Sequence, residues 1–189
     1  NGVAIFASAS EGFSRANLNC SIVESYERFA PVALAARKAG VPLRGYVSMV
    51  VECPFDGPTD PDQVAQVVEA LRAMGCDEVS LGDTVGRGRP EAVDAMLARV
   101  LDVAPAAALA GHFHDTEGRA LENVEVSLAR GLRVFDACAG GLGGCASLIT
   151  GGDLIRPGEP TGGLEFRNVS RSNSIDVVLV STCSASTYG

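Results

Sequence analysis

Short apolar runs alternate with amphipathic segments over the first three quarters of the chain. Four of the segments between these runs carry apolar residues at helical spacing, as in the stripe Val64, Val67, Val68 and Leu71. Because each strand leads into a helix, the pattern predicts βαβ units and one parallel sheet. The predicted strands are residues 3–7, 43–50, 78–81, 107–112 and 133–138.

Residues typical of helix ends flank several of the amphipathic segments. Ser21 and Glu24 form the spacing of a capping box, and Gly40 is placed to end the helix that they begin. Asp60 and Pro61 have the residue types preferred at an N-cap and at the first helical position. These residues fix two helices of the predicted α/β fold.

The composition changes after Gly152. Glycine and proline are frequent to about residue 163, and serine and threonine crowd the end of the chain. Within this part only Ile175–Val180 could form a short strand. The sequence predicts an ordered α/β domain over residues 1–150 and an irregular, poorly ordered tail over residues 151–189.

Polar residues collect where the predicted strands end. An open doubly wound sheet and a (β/α)8 barrel both place their active sites at this edge, so periodicity alone leaves both architectures open. Glu11 and Asn17, in the predicted loop after the first strand, are candidates for substrate contact. The other polar residues at these ends are Asp83, His112, His114 and Asp115.

The segment Gly-His-Phe-His-Asp-Thr contains both histidines of the chain, His112 and His114. Residues i and i+2 of a strand point the same way, so the two imidazoles are predicted to bind one metal ion. The alternative is a pair of hydrogen-bonded structural histidines. Asp83 is expected to face the same space from the adjacent strand. It could bind the metal, orient a histidine or act on substrate, or it could be a plain turn or N-cap residue.

Two glycine-containing loops follow predicted strands. Four glycines between Gly140 and Gly144 precede Cys145, and this run indicates either a lid that closes over a substrate or a simple turn with an incidental thiol. The run is not a dinucleotide-binding pattern. Residues 53–57, Cys-Pro-Phe-Asp-Gly, are interpreted as a turn.

Composition excludes several classes of partner. The formal net charge of -8 disfavours nucleic acid and anionic membrane surfaces, and no apolar stretch approaches the length needed to cross a bilayer. Six cysteines without a Cys-x-x-Cys pair favour free thiols and a reducing compartment, the cytoplasm or the mitochondrial matrix. The 189 residues suffice for one domain but are fewer than the roughly 250 of a complete (β/α)8 barrel.

Five segments together resemble the hydroxymethylglutaryl-CoA lyase family, in the order and spacing of that family. They cover the chain from about Val3 to Cys145. The segments are VAIFASASEGFSRANLNCSI, LRGYVSMVVECPFDG, MGCDEVSLGDTVG, GHFHDTEGRALEN and VFDACAGGLGGC.

The resemblance implies a partial (β/α)8 barrel of about strands 4–8, and an enzyme that splits 3-hydroxy-3-methylglutaryl-CoA into acetyl-CoA and acetoacetate. It implies a divalent cation, Mg²⁺ or Mn²⁺, bound by His112 and His114. It assigns catalysis to Asp83, His112 and Cys145. A homo-oligomer is left open.

The chain also departs from the family. The family's Arg-Asp pair and catalytic Glu, on its first two strands, have no counterpart, so we expect little activity, and low stability or self-association, from this chain alone. Asp153 is the nearest substitute for the family's Asn ligand. The alternatives are an isopropylmalate-type condensing synthase, a biotin-dependent carboxyltransferase domain and a non-catalytic truncated remnant.

Overall fold

The computed structural model describes residues 2–137 and the backbone of residues 176–179. A short 3-10 helix at Ala106–Ala108 precedes the sixth strand. The elements are β1 (Val3–Ser8), α1 (Glu11–Leu18), α2 (Ile22–Ala39), β2 (Leu43–Ser48), β3 (Glu52–Cys53), β4 (Gly57–Pro58), α3 (Pro61–Met74), β5 (Glu78–Asp83), α4 (Pro90–Val100), β6 (Leu109–Phe113), α5 (Ala120–Ala129), β7 (Val134–Ala137) and β8 (Asp176–Leu179).

Six strands form one sheet in the order β1-β2-β5-β6-β7-β8, and every neighbouring pair is parallel. The short strands β3 and β4 form a separate antiparallel hairpin. The predicted parallel sheet is therefore confirmed. β8 lies within the only stretch of residues 151–189 that the sequence allowed to form a strand, and the rest of that segment lies outside the described residues.

The capping residues lie at the helix termini, as predicted. The Ser21 hydroxyl accepts the Glu24 backbone N–H, the Glu24 carboxylate accepts the Ser21 N–H, and Gly40 adopts a left-handed conformation after α2. Asp60 caps α3. One prediction is wrong: Glu11 and Asn17 lie in helix α1 and not in a loop.

Side chains on the two faces of the sheet differ in polarity. Leu43 and Val47 of β2 are buried in the core, whereas the alternate residues Arg44 and Tyr46 are only partly buried. The core contains residues of helices α2 to α5, so it lies between the sheet and the helices. The other face carries polar groups, as the inner face of a barrel does near its catalytic end.

One ion pair shows that the sheet is strongly curved. Arg44 on β2 and Asp136 on β7 are three strand spacings apart, which is roughly 14 Å in a flat sheet. The Arg44 Nη2 atom nevertheless lies 2.7 Å from Asp136 Oδ1. The strands therefore curve around a shared interior, in agreement with the predicted partial barrel.

None of the helices in the described residues has the length and apolar character that a membrane span requires.

Cys20, Cys53 and Cys76 are buried free thiols, and burial raises the pKa of Cys76 to about 11. These three cysteines agree with the predicted free thiols.

Candidate metal centre

The two histidines converge at the C-terminal end of β6. His112 lies within the strand, and His114 follows the residue at which the strand ends. Their Nε2 atoms are 3.1 Å apart. The prediction from the two-residue period, that both imidazoles enter the same space, is confirmed.

A hydrogen-bond acceptor holds the other nitrogen of each ring. Nδ1 of His112 lies 3.0 Å from Oδ2 of Asp136, and Nδ1 of His114 lies 2.8 Å from the backbone carbonyl oxygen of Thr84. Neither an ionised carboxylate nor a carbonyl oxygen can donate, so Nδ1 carries the proton in each neutral ring. The lone pair is then on Nε2 in both rings, and the two lone pairs face each other.

The spacing of the Nε2 atoms fits a six-coordinate cation. Adjacent ligands of an octahedral ion, at bond lengths of about 2.1 Å, are about 3.0 Å apart. Tetrahedral ligands at the same bond length are about 3.4 Å apart. Two Nε2 lone pairs whose atoms are 3.1 Å apart repel each other unless a bound cation, or a proton held between the rings, lies between them; a divalent ion such as Mg²⁺ or Mn²⁺ meets this requirement.

The described residues supply only part of a coordination shell. Within residues 2–137 and 176–179, no group of three or more His, Cys, Asp or Glu side chains is placed to hold a metal ion. The histidine pair would therefore provide two of about six ligand positions, and other groups would complete the shell.

Asp136, which the sequence analysis did not single out, connects the site to three strands. Its Oδ1 atom accepts a hydrogen bond from Arg44, and its Oδ2 atom accepts from Ser80 at 2.8 Å as well as from His112. The available signal was a lone carboxylate inside the apolar strand at residues 133–138. Its partners could not be assigned without the strand register.

The protonation states agree with this hydrogen-bond pattern. Burial raises the pKa of Asp136, but hydrogen bonds from His112, Arg44 and Ser80 outweigh it, so the pKa lies below its ordinary value. Burial lowers the pKa of His114, and His112 lowers it further, against the opposing effect of the Thr84 hydrogen bond. At neutral pH Asp136 is therefore ionised and His114 is neutral.

Asp83 lies on the strand adjacent to the histidines, but its carboxylate is turned into the loop after β5. The register pairs Gly82 with His112 and Asp83 with Phe113, so Asp83 and His112 belong to opposite faces of the sheet. The prediction that Asp83 faces the space of the histidines is therefore wrong. Its oxygens accept the N–H groups of Gly86 and Gly88 at 3.1 and 2.8 Å. The catalytic role that the resemblance assigns to Asp83 stays a prediction.

The loop held by Asp83 bounds the site. It begins with Thr84, whose carbonyl oxygen accepts the His114 Nδ1 hydrogen bond. A Cβ atom on Gly86 would lie 2.9 Å from Cβ of His114, so only glycine allows this close approach. Asp83 thus supports His114 indirectly, through the conformation of the loop.

An Asp83→Asn variant is expected to unfold with a free energy about 1–3 kcal/mol lower than that of the original chain, because an amide has one acceptor oxygen for two buried N–H groups. Burial raises the pKa of Asp83 against hydrogen bonds from Gly88, Gly86 and Arg87. The folded state therefore favours the protonated acid, and ionisation lowers stability as pH rises above the ordinary carboxyl pKa of about 3.9.

The loss of stability caused by Asp83→Asn should accordingly be larger near about pH 4 than near pH 7. Urea unfolding between about pH 4 and pH 7 measures it. Asp102→Asn is the matched control, because Asp102 is an exposed carboxylate that pairs with Arg99. Equal stability of the original chain and the Asp83→Asn variant over this range would contradict the prediction.

The segment at residues 53–57 forms the turn that the sequence predicted. It connects β3 to β4, and Asp56 in this turn accepts hydrogen bonds from the Ser10 hydroxyl and the Gly12 N–H, both at 2.7 Å. A cleft of about 270 Å³ beside it includes Ser10 and Asp56 but neither histidine. The cleft is therefore separate from the candidate metal centre.

Two predicted site residues, Cys145 and Asp153, lie outside the described residues. The catalytic role of Cys145 and the ligand role of Asp153 therefore stay predictions. The glycine run before Cys145 also lies outside this part of the chain.

A family model described as HMGL-like matches residues 1–156. The hydroxymethylglutaryl-CoA lyase of Pseudomonas mevalonii is 54% identical over 143 residues, which are 76% of this chain and 48% of that protein. The crystal structure of the HMG-CoA lyase from Brucella melitensis superposes with a TM-score of 0.76 at 63% identity, over 77% of this chain and 51% of that one.

A third relative is an HMG-CoA lyase from Acinetobacter baumannii, solved in complex with coenzyme A and 3-methylmalate. It superposes with a TM-score of 0.72 at 32% identity, over 77% of this chain and 48% of that one. The parallel αβ architecture and the match over most of its length define the chain as part of a barrel of the lyase type. The chain belongs to the HMGL-like family, and it spans about half the length of the relatives that it matches.

Proposed function

We propose that this chain provides the histidine half of the metal centre of a lyase that splits 3-hydroxy-3-methylglutaryl-CoA into acetyl-CoA and acetoacetate. The observation that carries the proposal is the pair of Nε2 atoms of His112 and His114 at 3.1 Å, each in a ring whose Nδ1 is held by an acceptor. Enzymes of the family generally depend on a divalent metal.

His112 and His114 would hold a Mg²⁺ or Mn²⁺ ion through Nε2. Such an ion, when bound, polarises substrate oxygens and stabilises negative charge on the hydroxyl oxygen as its proton leaves. Thr84 keeps the His114 lone pair directed into the site, and Asp83 holds the loop on which Thr84 lies. The acyl-CoA as substrate is supported by the coenzyme A complex of the Acinetobacter relative.

The proposed cleavage is the reverse of an aldol-type addition. The substrate hydroxyl loses its proton, the electron pair forms the new ketone of acetoacetate, and the carbon–carbon bond breaks. The electrons of that bond leave as the enolate of acetyl-CoA, which then takes up a proton. Cys145 is a residue to which the resemblance assigns a catalytic role in this cleavage.

The other activities considered have weaker support. The 54% and 63% identical relatives are both named as lyases, and neither is named as a condensing synthase or a carboxyltransferase. These observations favour the lyase.

A chimaeric enzyme tests the proposal. Residues 3–137 of this chain would replace the matching segment of the Pseudomonas mevalonii lyase, and acetoacetate release would be measured with Mn²⁺. We expect metal-dependent cleavage within about tenfold of the parent, since a change of 1.4 kcal/mol in the barrier is tenfold in rate. The matched control is the same chimaera with His112→Gln, which should be inactive.

Two outcomes would contradict the proposal. One is a folded chimaera that does not cleave 3-hydroxy-3-methylglutaryl-CoA. The other is a chimaera that retains cleavage after His112→Gln. Condensation of acetyl-CoA with a 2-oxo acid by the first chimaera would favour the synthase instead.

A further inference from the structure

The contacts of Asp136 are those of a residue that acts on the metal site through His112. The Asp136 side chain is 1% exposed, whereas His112 is 27% exposed. The Nδ1 atom of the His112 ring therefore faces a buried carboxylate, whereas its Nε2 atom faces His114. Because it is buried, Asp136 cannot itself meet a substrate.

We propose that Asp136 is the positioning residue of the metal centre: it holds His112 in the tautomer with the proton on Nδ1 and so keeps Nε2 available as a ligand atom. The inference rests on the proposed metal site. Carboxylates that accept the remote N–H of a metal-binding histidine fix its tautomer and orientation and raise its basicity.

The strand register brings the two side chains together. β6 and β7 pair Ala110 with Val134 and Gly111 with Phe135. Two residues further along each strand from the first of these pairs, Asp136 lies beside His112 on the same face. The contact is therefore built into the sheet and does not depend on a loop.

The contact with Arg44 explains why a carboxylate is needed at position 136. Its guanidinium donates to Oδ1 of Asp136 at 2.7 Å, so that atom must be an acceptor. If the residue were Asn, the amide oxygen would face Arg44, and the NH₂ group would face His112. Nδ1 of His112 would then have to accept, and the proton would move to Nε2.

His114 is anchored independently, by the backbone carbonyl of Thr84. Substitution of Asp136 should therefore change the tautomer of His112 and leave that of His114 unchanged. A purely structural ion pair between Arg44 and Asp136 would change neither tautomer. His114 is thus an internal control within the same molecule.

The test is ¹⁵N NMR of the full chain labelled at histidine, recorded without metal at a pH near 8, above the ordinary histidine pKa. The chain has two histidines, so each ring nitrogen can be assigned by comparison with His114→Gln. In the original chain both rings should carry the proton on Nδ1. In Asp136→Asn, His112 should carry it on Nε2 while His114 stays as before.

Two further variants make the test decisive. Ser80→Ala removes a hydrogen bond to the same carboxylate but not the His112 contact, and it should leave both tautomers unchanged. If Asp136→Asn does not fold, the double variant Arg44→Met, Asp136→Leu leaves neither charge alone, and it should give His112 a mixture of tautomers. A His112 ring that keeps its proton on Nδ1 in these Asp136 variants would overturn the inference.

Titration with Mn²⁺, followed by broadening of the histidine ring signals, gives the second readout. Asp136→Asn should weaken Mn²⁺ binding about 10–100-fold, and Ser80→Ala should change it far less. If neither the original chain nor the chimaeric lyase that contains its residues 3–137 binds Mn²⁺, the proposed metal site fails, whereas the tautomer of His112 still decides the role of Asp136. Unchanged Mn²⁺ affinity in a folded Asp136→Asn variant would overturn that role.

Discussion

A His114→Gln variant is expected to weaken Mn²⁺ binding by more than about 100-fold and to abolish acetoacetate release by the chimaeric lyase. Loss of an outer-shell partner alone weakens metal binding by about 10–100-fold, and removal of a ligand should exceed that. The amide oxygen of glutamine can itself bind a hard ion, so His114→Ala, which leaves no donor atom near the position of Nε2, 3.1 Å from that of His112, should cause a loss at least as large. Mn²⁺ titration and the acetoacetate assay measure the two effects.

Tyr46→Phe is the control for this experiment. Tyr46 lies on the same face of the sheet, where its hydroxyl accepts a hydrogen bond from Arg44, but it does not contact either Nε2 atom. The Tyr46→Phe variant should bind Mn²⁺ as the original chain does. A folded His114→Gln variant with unchanged affinity would show that the histidines do not form the metal site.

Arg44→Met is expected to lower the free energy of unfolding by about 3–5 kcal/mol, because it leaves the buried carboxylate of Asp136 without its cation. Asp136→Leu should cost less, since Arg44 keeps its ion pair with Glu78 at 2.6 Å. The double variant Arg44→Met, Asp136→Leu should recover much of the loss, because neither charge is then buried alone. Urea unfolding of the original chain and the three variants measures this cycle.

Arg130→Met is the matched control for an exposed ion pair. Arg130 makes two hydrogen bonds of 2.6 Å to Asp94, and both side chains are exposed. Its loss should cost less than about 1 kcal/mol. Equal losses for Arg44→Met and Arg130→Met, or additive losses in the double variant, would contradict the idea that the interior pair acts as a unit.

The interior network also accounts for the gap between the predicted and the observed site. The sequence predicted His112 and His114 because their convergence depends only on the two-residue period of one strand. It did not predict Asp136, 24 residues further along, because that contact requires the pairing of β6 with β7. Asp83 shows the reverse case: its place at a strand end was predicted, but the loop amides that bind its carboxylate were not.

The sequence by itself determined the local structure and its order along the chain. Ser21 with Glu24, Gly40, and Asp60 set helix ends through hydrogen bonds within a few residues, and these were readable before the fold was known. The missed helix α1 is short, with Ser10 as its N-cap and Asn19 in a left-handed conformation at its end. The sequence signals of this short helix were weaker than those of α2, so only α2 was predicted.

Only the tertiary structure decided which distant side chains meet inside the curved sheet. Arg44 and Asp136 are 92 residues apart in the chain and three strands apart in the sheet, yet curvature brings their charges into contact. No periodicity encodes that distance, because it depends on the register and curvature of four strands together. The tautomer of His112, and with it the direction of its lone pair, follows from this long-range contact.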